Sequence, residues 1–146
     1  MEIKLIIDPK FKKPEIHICH KEAKEEALSL YEAVNTMVNT MLTAYDADGV
    51  CMLISSEIIR VYTQNQKVMA ATAKGTYQLR QRLYEIEEIL DGSRFLRISN
   101  SEIVNIKKIR RMDTSITGTI KMYMDAGMVT YVSRRYVSKI KKALGI

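Results

Sequence analysis

The hydrophobic period of this chain changes once, near residue 46, and that change bounds the folds open to it. From Glu22 to about Ala44 there is neither Gly nor Pro, and Ala23, Ala27, Leu30, Val34, Met37 and Met41 recur at spacings of four and three, the mark of one helix face. Leu28, Tyr31, Val38, Leu42 and Tyr45 form a second stripe beside the first, so the apolar face is broad. A face that wide needs a partner surface, either elsewhere in the chain or on a second subunit. Asp46, Asp48 and Gly49 then make a turn that ends the helix.

Beyond the turn the period is that of strands. Residues 50–54, 58–63 and 68–72 are β-rich, with Gln64, Asn65, Gln66 and Lys67 as a polar turn between the last two. Leu79, Leu83, Ile86 and Leu90 predict a short amphipathic helix that stops at Asp91 and Gly92. Strands are expected again at 94–98, 103–106, 118–124 and 128–132, with Asp125, Ala126 and Gly127 as a hairpin turn. Ser133 opens a last small helix carrying Val137, Ile140 and Leu144 on one side. Ahead of the long helix, residues 3–7 and 15–19 read as two short strands with Pro9 and Pro14 between them. The expected architecture is therefore mostly β within an α+β class, with a β-β-α extension over residues 1–46 and an antiparallel β domain over 47–146.

Length and composition narrow the function. At 146 residues and 47% apolar content the chain can bury a real core. Its longest apolar runs are four to six residues, far from the roughly 20 needed to cross a bilayer, and residues 1–11 lack the uninterrupted apolar stretch of a signal peptide. Two cysteines, Cys19 and Cys51, do not make a disulfide framework, so a reducing, cytoplasmic compartment is expected. The net charge of +6 is unevenly spread: residues 1–56 hold 6 basic against 9 acidic side chains, and residues 57–146 hold 17 against 8. An excess of +9 on the later part points to an anionic partner there, nucleic acid first.

Catalytic patterns are absent from the sequence: it has no Gly-rich phosphate loop, no nucleophile elbow and no His-Glu-x-x-His. No enzyme activity, metal or cofactor is expected. The two histidines, His17 and His20, flank Cys19, but in a strand His20 would face away from the other two, and the spacing fits no usual zinc site. The cations are more informative. Between residues 93 and 146 there are twelve against three acids, many beside predicted turns, where Arg and Asn tips could meet base edges while Lys, Ser and Tyr hold phosphates.

Two stretches then carry a family resemblance. Phe95 through Asn105 (Phe-Leu-Arg-Ile-Ser-Asn-Ser-Glu-Ile-Val-Asn), followed by Ile109, and Val132-Ser133-Arg134-Arg135-Tyr136 resemble the most characteristic segments of the LytTR family of bacterial DNA-binding domains. Ser56 to Ile59 and the helix through Leu79, Leu83 and Leu90 stand in the family's order, and the resemblance covers about residues 50–146. It implies an elongated antiparallel β domain that inserts loops into successive major grooves at paired promoter repeats. Asn100 and Arg135 match the family's base-facing positions, and Gln66 is the best choice in the third reading loop. Arg97, Ser99, Ser101, Tyr131, Ser133, Arg134 and Lys67 match positions at or near phosphate contacts. Ser99 stands where many members have His, and Glu102 replaces an aromatic or apolar residue. The 49 residues before the domain are too few for a phosphoreceiver domain, so the chain resembles the stand-alone LytTR regulators. That resemblance implies double-stranded promoter DNA as partner, a homodimer on DNA, and a membrane-protein inhibitor encoded nearby. The alternative reading is a regulatory interaction module whose long helix docks a membrane partner or second subunit, with a basic surface that serves solubility.

Overall fold

The computed structural model describes residues 2–12 and 14–146, and these divide into two compact units, Met1–Asn35 and Thr36–Ile146. Described residues contain ten strands and three α-helices, a mostly β fold as the alternating pattern predicts.

The larger unit is built on a seven-stranded antiparallel sheet. Its strands are β1 (Met41–Asp46), β2 (Gly49–Ile54), β3 (Ile58–Gln64), β4 (Lys67–Thr72), β5 (Thr76–Leu79), β6 (Phe95–Ser99) and β7 (Glu102–Asn105), in the spatial order β2-β1-β5-β4-β3-β7-β6. A second sheet of three strands, β8 (Ile109–Asp113), β9 (Ile120–Met124) and β10 (Val129–Val132), has β9 in the middle. Helix α2 (Leu83–Ile89) lies between β5 and β6 in the chain, and α3 (Arg134–Leu144) follows β10.

Two hydrophobic cores result, because residues of a strand alternate between its faces and an irregularity between Ile58 and Arg60 brings Ile58 and Val61 to the same core. Ile58 and Val61 of β3, Ile103 of β7 and Phe95 of β6 pack with Leu83 and Ile86 of α2. Their neighbours Ile59, Val104 and Ile98 pack instead with Met122 of β9, Val132 of β10 and Ile140 of α3. Strands β3, β7 and β6 are thus buried on both faces, which explains the near-continuous apolar runs at 58–61 and 95–98. Asn105 fits at the buried end of β7 because its amide donates to the Ile58 carbonyl at 2.9 Å and its carbonyl oxygen accepts the Lys107 N–H at 3.0 Å.

Several expectations need correction. The helix expected over 22–44 is α1 (Glu25–Val38), and residues 41–46 form β1 instead. Leu42 and Ala44 are both buried, and Leu42 and Leu53 stand opposite one another in the β1–β2 ladder. Positions 34, 37, 41 and 44 fit helical spacing equally well; pairing with β2 decides between the two periods. Buried Asn39 marks the change, its side-chain oxygen accepting from Arg94 Nη1 at 2.8 Å. The helix expected from Leu79 starts at Leu83, since Tyr77 and Leu79 alternate as strand residues and Glu85 reaches back to the Arg82 N–H at 3.1 Å. Residues 3–7 and 15–19 form no strands: they run without ladder partners, and Ile3, Leu5 and Ile7 are 93%, 87% and 88% exposed. Two isolated strands are marginal in water without a sheet to join. Strand β8, missed in the sequence, is an edge strand whose Ile-Arg-Arg-Met-Asp lacks clean alternation.

Candidate nucleic-acid interface

The strand order brings three of the sequence-selected segments to one end of the larger unit. In the β3–β7 register Tyr62 stands opposite Glu102, and the Thr63 N–H donates to the Ser101 carbonyl at 2.9 Å. The β3–β4 turn with Gln66 and the β6–β7 turn with Asn100 therefore leave the same end of the sheet. The Ser133 N–H donates to the Ile98 carbonyl at 2.9 Å, which ties the start of α3, and with it Arg134 and Arg135, to that end of β6.

Local chemistry shapes each tip. Gln64 pairs with Lys67, leaving a two-residue hairpin turn whose Asn65 and Gln66 have φ of 50° and 64°. Left-handed φ at both positions matches the right-handed twist of the strands, and it projects Gln66 into solvent beside exposed Lys67. In the β6–β7 turn Ser99 Oγ accepts the Ser101 N–H at 3.1 Å. Arg97 reaches around the turn: Nε donates to the Ser99 carbonyl at 2.7 Å, Nη2 to the Asn100 carbonyl at 2.6 Å, and Nη1 to Glu87 Oε2 at 3.1 Å. Its guanidinium is thus engaged in holding the loop. Exposed Asn100 receives a hydrogen bond on Oδ1 from the Tyr136 hydroxyl, 3.2 Å away. Arg135 is exposed in the first turn of α3, while the Arg134 side chain lies against Gly118, where a Cβ would come within 3.2 Å of its Nε.

Tyr131, half exposed, stands on the outer face of the three-stranded sheet opposite Lys121 in the β9–β10 ladder. Lys121 Nζ lies 4.9 Å from the Tyr123 ring centre and 6.0 Å from that of Tyr131, and Arg111 flanks Tyr123 at 5.9 Å. Hydrogen bonding and charge from Tyr123, then the charge of Tyr131, hold the lysine pKa above its ordinary value. Lys121 and Tyr123 alternate along one strand in the sequence, but the pairing that adds Tyr131 from the next strand was not legible. Tyr136 and Glu87 were not singled out in the sequence as partners of Asn100 and Arg97.

Glu102 is drawn away from the rim. Its Oε1 accepts from Arg60 Nη1 at 3.1 Å and its Oε2 from the Thr130 hydroxyl at 2.7 Å, while Arg60 stacks over Tyr62 at 4.3 Å. One carboxylate so joins β3, β7 and β10, holding the two sheets together below the turn that carries Asn100.

Charge concentrates on this unit: residues 36–146 hold 17 basic and 10 acidic side chains, against 6 and 7 in residues 1–35. No helix among the described residues is long and apolar enough to cross a membrane.

Comparison with known proteins agrees with the mostly β fold. The family model of the LytTr DNA-binding domain matches residues 48–145. Relatives in Staphylococcus aureus strains MSSA476 and MW2, described as uncharacterized HTH-type transcriptional regulators, are each 33% identical over 147 residues, covering 100% of this chain and 99% of theirs. Among solved structures, the LytTr DNA-binding domain from a Bacillus cereus protein is similar with a TM-score of 0.71 at 26% identity, covering 73% of this chain and 98% of that one. The helix-turn-helix label of the relatives has no counterpart in helices α2 and α3 here, which five strands separate.

Proposed function

The chain belongs to the LytTr DNA-binding domain family, and from that premise we propose that it is a cytoplasmic bacterial transcription regulator that reads duplex promoter DNA with loops. The observation that carries this reading is the common rim: the β3–β4 turn, the β6–β7 turn and the start of α3 present Gln66, Asn100 and Arg135 from one end of a basic unit. Arg135 has the fork needed to contact guanine O6 and N7 together, and Asn100 or Gln66 the paired donor and acceptor that suit adenine N6 and N7. Lys67, Arg134, Ser99, Ser101, Ser133 and Tyr131 border these tips and are assigned to phosphates. Arg97 belongs to the same rim and acts there through the loop it holds. The first-turn N–H groups of α3 favour an anion at that end as well.

In this reading the tips enter successive major grooves, and two copies occupy paired repeats. Association is assigned to residues 1–46, where Ile3, Leu5 and Ile7 are exposed beside a groove of about 840 Å³ lined by Ile6, Ile16, Ile18, Leu30 and Val34. A second copy would supply the ladder partners that residues 3–7 and 15–19 lack. A membrane protein encoded nearby is the proposed inhibitor. No step of this function calls for catalysis or a cofactor.

Gel shifts with the DNA upstream of its own gene, at several salt concentrations, test the proposal. Arg135→Ala and Asn100→Ala should each weaken specific binding by about 1–3 kcal/mol while leaving random DNA nearly unaffected, and Lys141→Ala should weaken both alike. Equal losses on both DNAs for the first two variants would overturn base reading.

A further inference from the structure

We propose that Tyr136 is the positioning residue that orients Asn100 for base reading, an inference that rests on the function proposed above. An exposed asparagine on a turn samples several rotamers, and fixing one of them on DNA costs binding free energy. Here two contacts remove that freedom beforehand. Arg97 holds the backbone by donating to the Ser99 and Asn100 carbonyls, at 2.7 and 2.6 Å. The Tyr136 hydroxyl holds the side chain at 3.2 Å through Oδ1.

The phenol is a firm post because its ring packs, half buried, against the core cluster of Ile98, Val132 and Ile140. An amide oxygen accepts two hydrogen bonds, so the tyrosine takes one lone pair and leaves the second, with the NH2 group, for a base edge. Those are the groups a paired contact with adenine uses. Tyr136 also directly follows Arg135, and the Ser133 N–H is bonded to the Ile98 carbonyl. The two reading elements are thereby fixed against each other through one helical turn, so loss of the hydroxyl should blur one base position and spare the other.

The experiment uses the full-length chain and a duplex enriched from a randomised library by the wild type, followed by a panel in which each base pair of that duplex is changed. Tyr136→Phe keeps the ring and its packing, so its thermal midpoint should match the wild type. It should lose about 2- to 10-fold of the preference at the base pair where Asn100→Ala loses its own, the range of one hydrogen bond, and keep the preference lost in Arg135→Ala. Added to Asn100→Ala it should have no further effect, because the group it orients is gone. Full selectivity in Tyr136→Phe, equal loss on every duplex, or additivity with Asn100→Ala would overturn the role of Tyr136 while leaving base reading intact. A wild type that enriches no sequence, or an Asn100→Ala variant as selective as the wild type, would overturn the base-reading function and this role with it.

Discussion

Gln66 carries a local backbone cost. Its φ of 64° lies in the left-handed region, which suits glycine better than a residue with a Cβ. Gln66→Gly should relieve that strain, and after the entropy glycine loses on folding the net gain should be up to about 1 kcal/mol in a denaturant titration. The same variant should bind the enriched duplex less selectively, since the tip loses its amide. Asp113 offers a pH readout. Its carboxylate accepts from the Ser115 hydroxyl at 2.6 Å and the Ser115 N–H at 2.9 Å, which hold its pKa below the ordinary 3.8, with Arg111 and Lys121 adding to the effect. Because the folded value is the lower one, the contribution of this turn is present above 3.8 and is lost as pH falls through the folded value. Carboxyl NMR should find Asp113 titrating below the ordinary aspartate value, and Ser115→Ala should move it back up. The residue types at the proposed interface were legible in the sequence; the bonds from Tyr136 and Arg97 were not, because they join positions brought together only by β6–β7 pairing and the seat of α3.

At the scale of elements, the two sheets of the larger unit are joined by a shared apolar core and by one polar cluster. Glu102→Ala would leave Arg60 and Thr130 without their shared acceptor. With side-chain exposures of 24% for Arg60 and 12% for Glu102, the cost should be about 2–3 kcal/mol, below that of a fully enclosed pair. Thr130→Val removes a hydroxyl that donates to this carboxylate and should cost about 1.5–3 kcal/mol. Met122, fully buried on β9, should cost about 2–5 kcal/mol as Met122→Ala through the cavity left behind. Chemical denaturation measures all three. Elements bounded by turn residues, such as β3, β4 and the 125–127 turn, were legible. The end of α1 was not, because Leu42 and Ala44 satisfy helical and strand periods alike and only the ladder with β2 separates them.

For the whole molecule, the charge distribution sets the expected salt dependence. If six phosphates are neutralised by the basic unit, the slope of log affinity against log salt should be roughly −5, so binding should fall steeply toward physiological salt. Fluorescence anisotropy at four or five salt concentrations gives the slope, and a value near zero would argue against phosphate contacts. The association assigned to residues 1–46 has its own measurement: light scattering should find a dimer in the wild type and a monomer in a Leu5→Glu, Ile7→Glu variant that keeps the fold of residues 36–146. A monomeric wild type at high concentration would remove the dimer from the proposal.

The sequence by itself determined the mostly β class, the basic character of the later part and the family, because periodicity, charge and short motifs are properties of neighbouring residues. Only the tertiary structure decided which strands share a sheet, that β3, β7 and β6 are buried on both faces, and that Glu102 turns inward to Arg60 and Thr130. Only it placed the Tyr136 hydroxyl beside Asn100. Those outcomes depend on which distant segments pack, and packing is set by burial and hydrogen-bond satisfaction summed over the whole unit rather than by any local pattern.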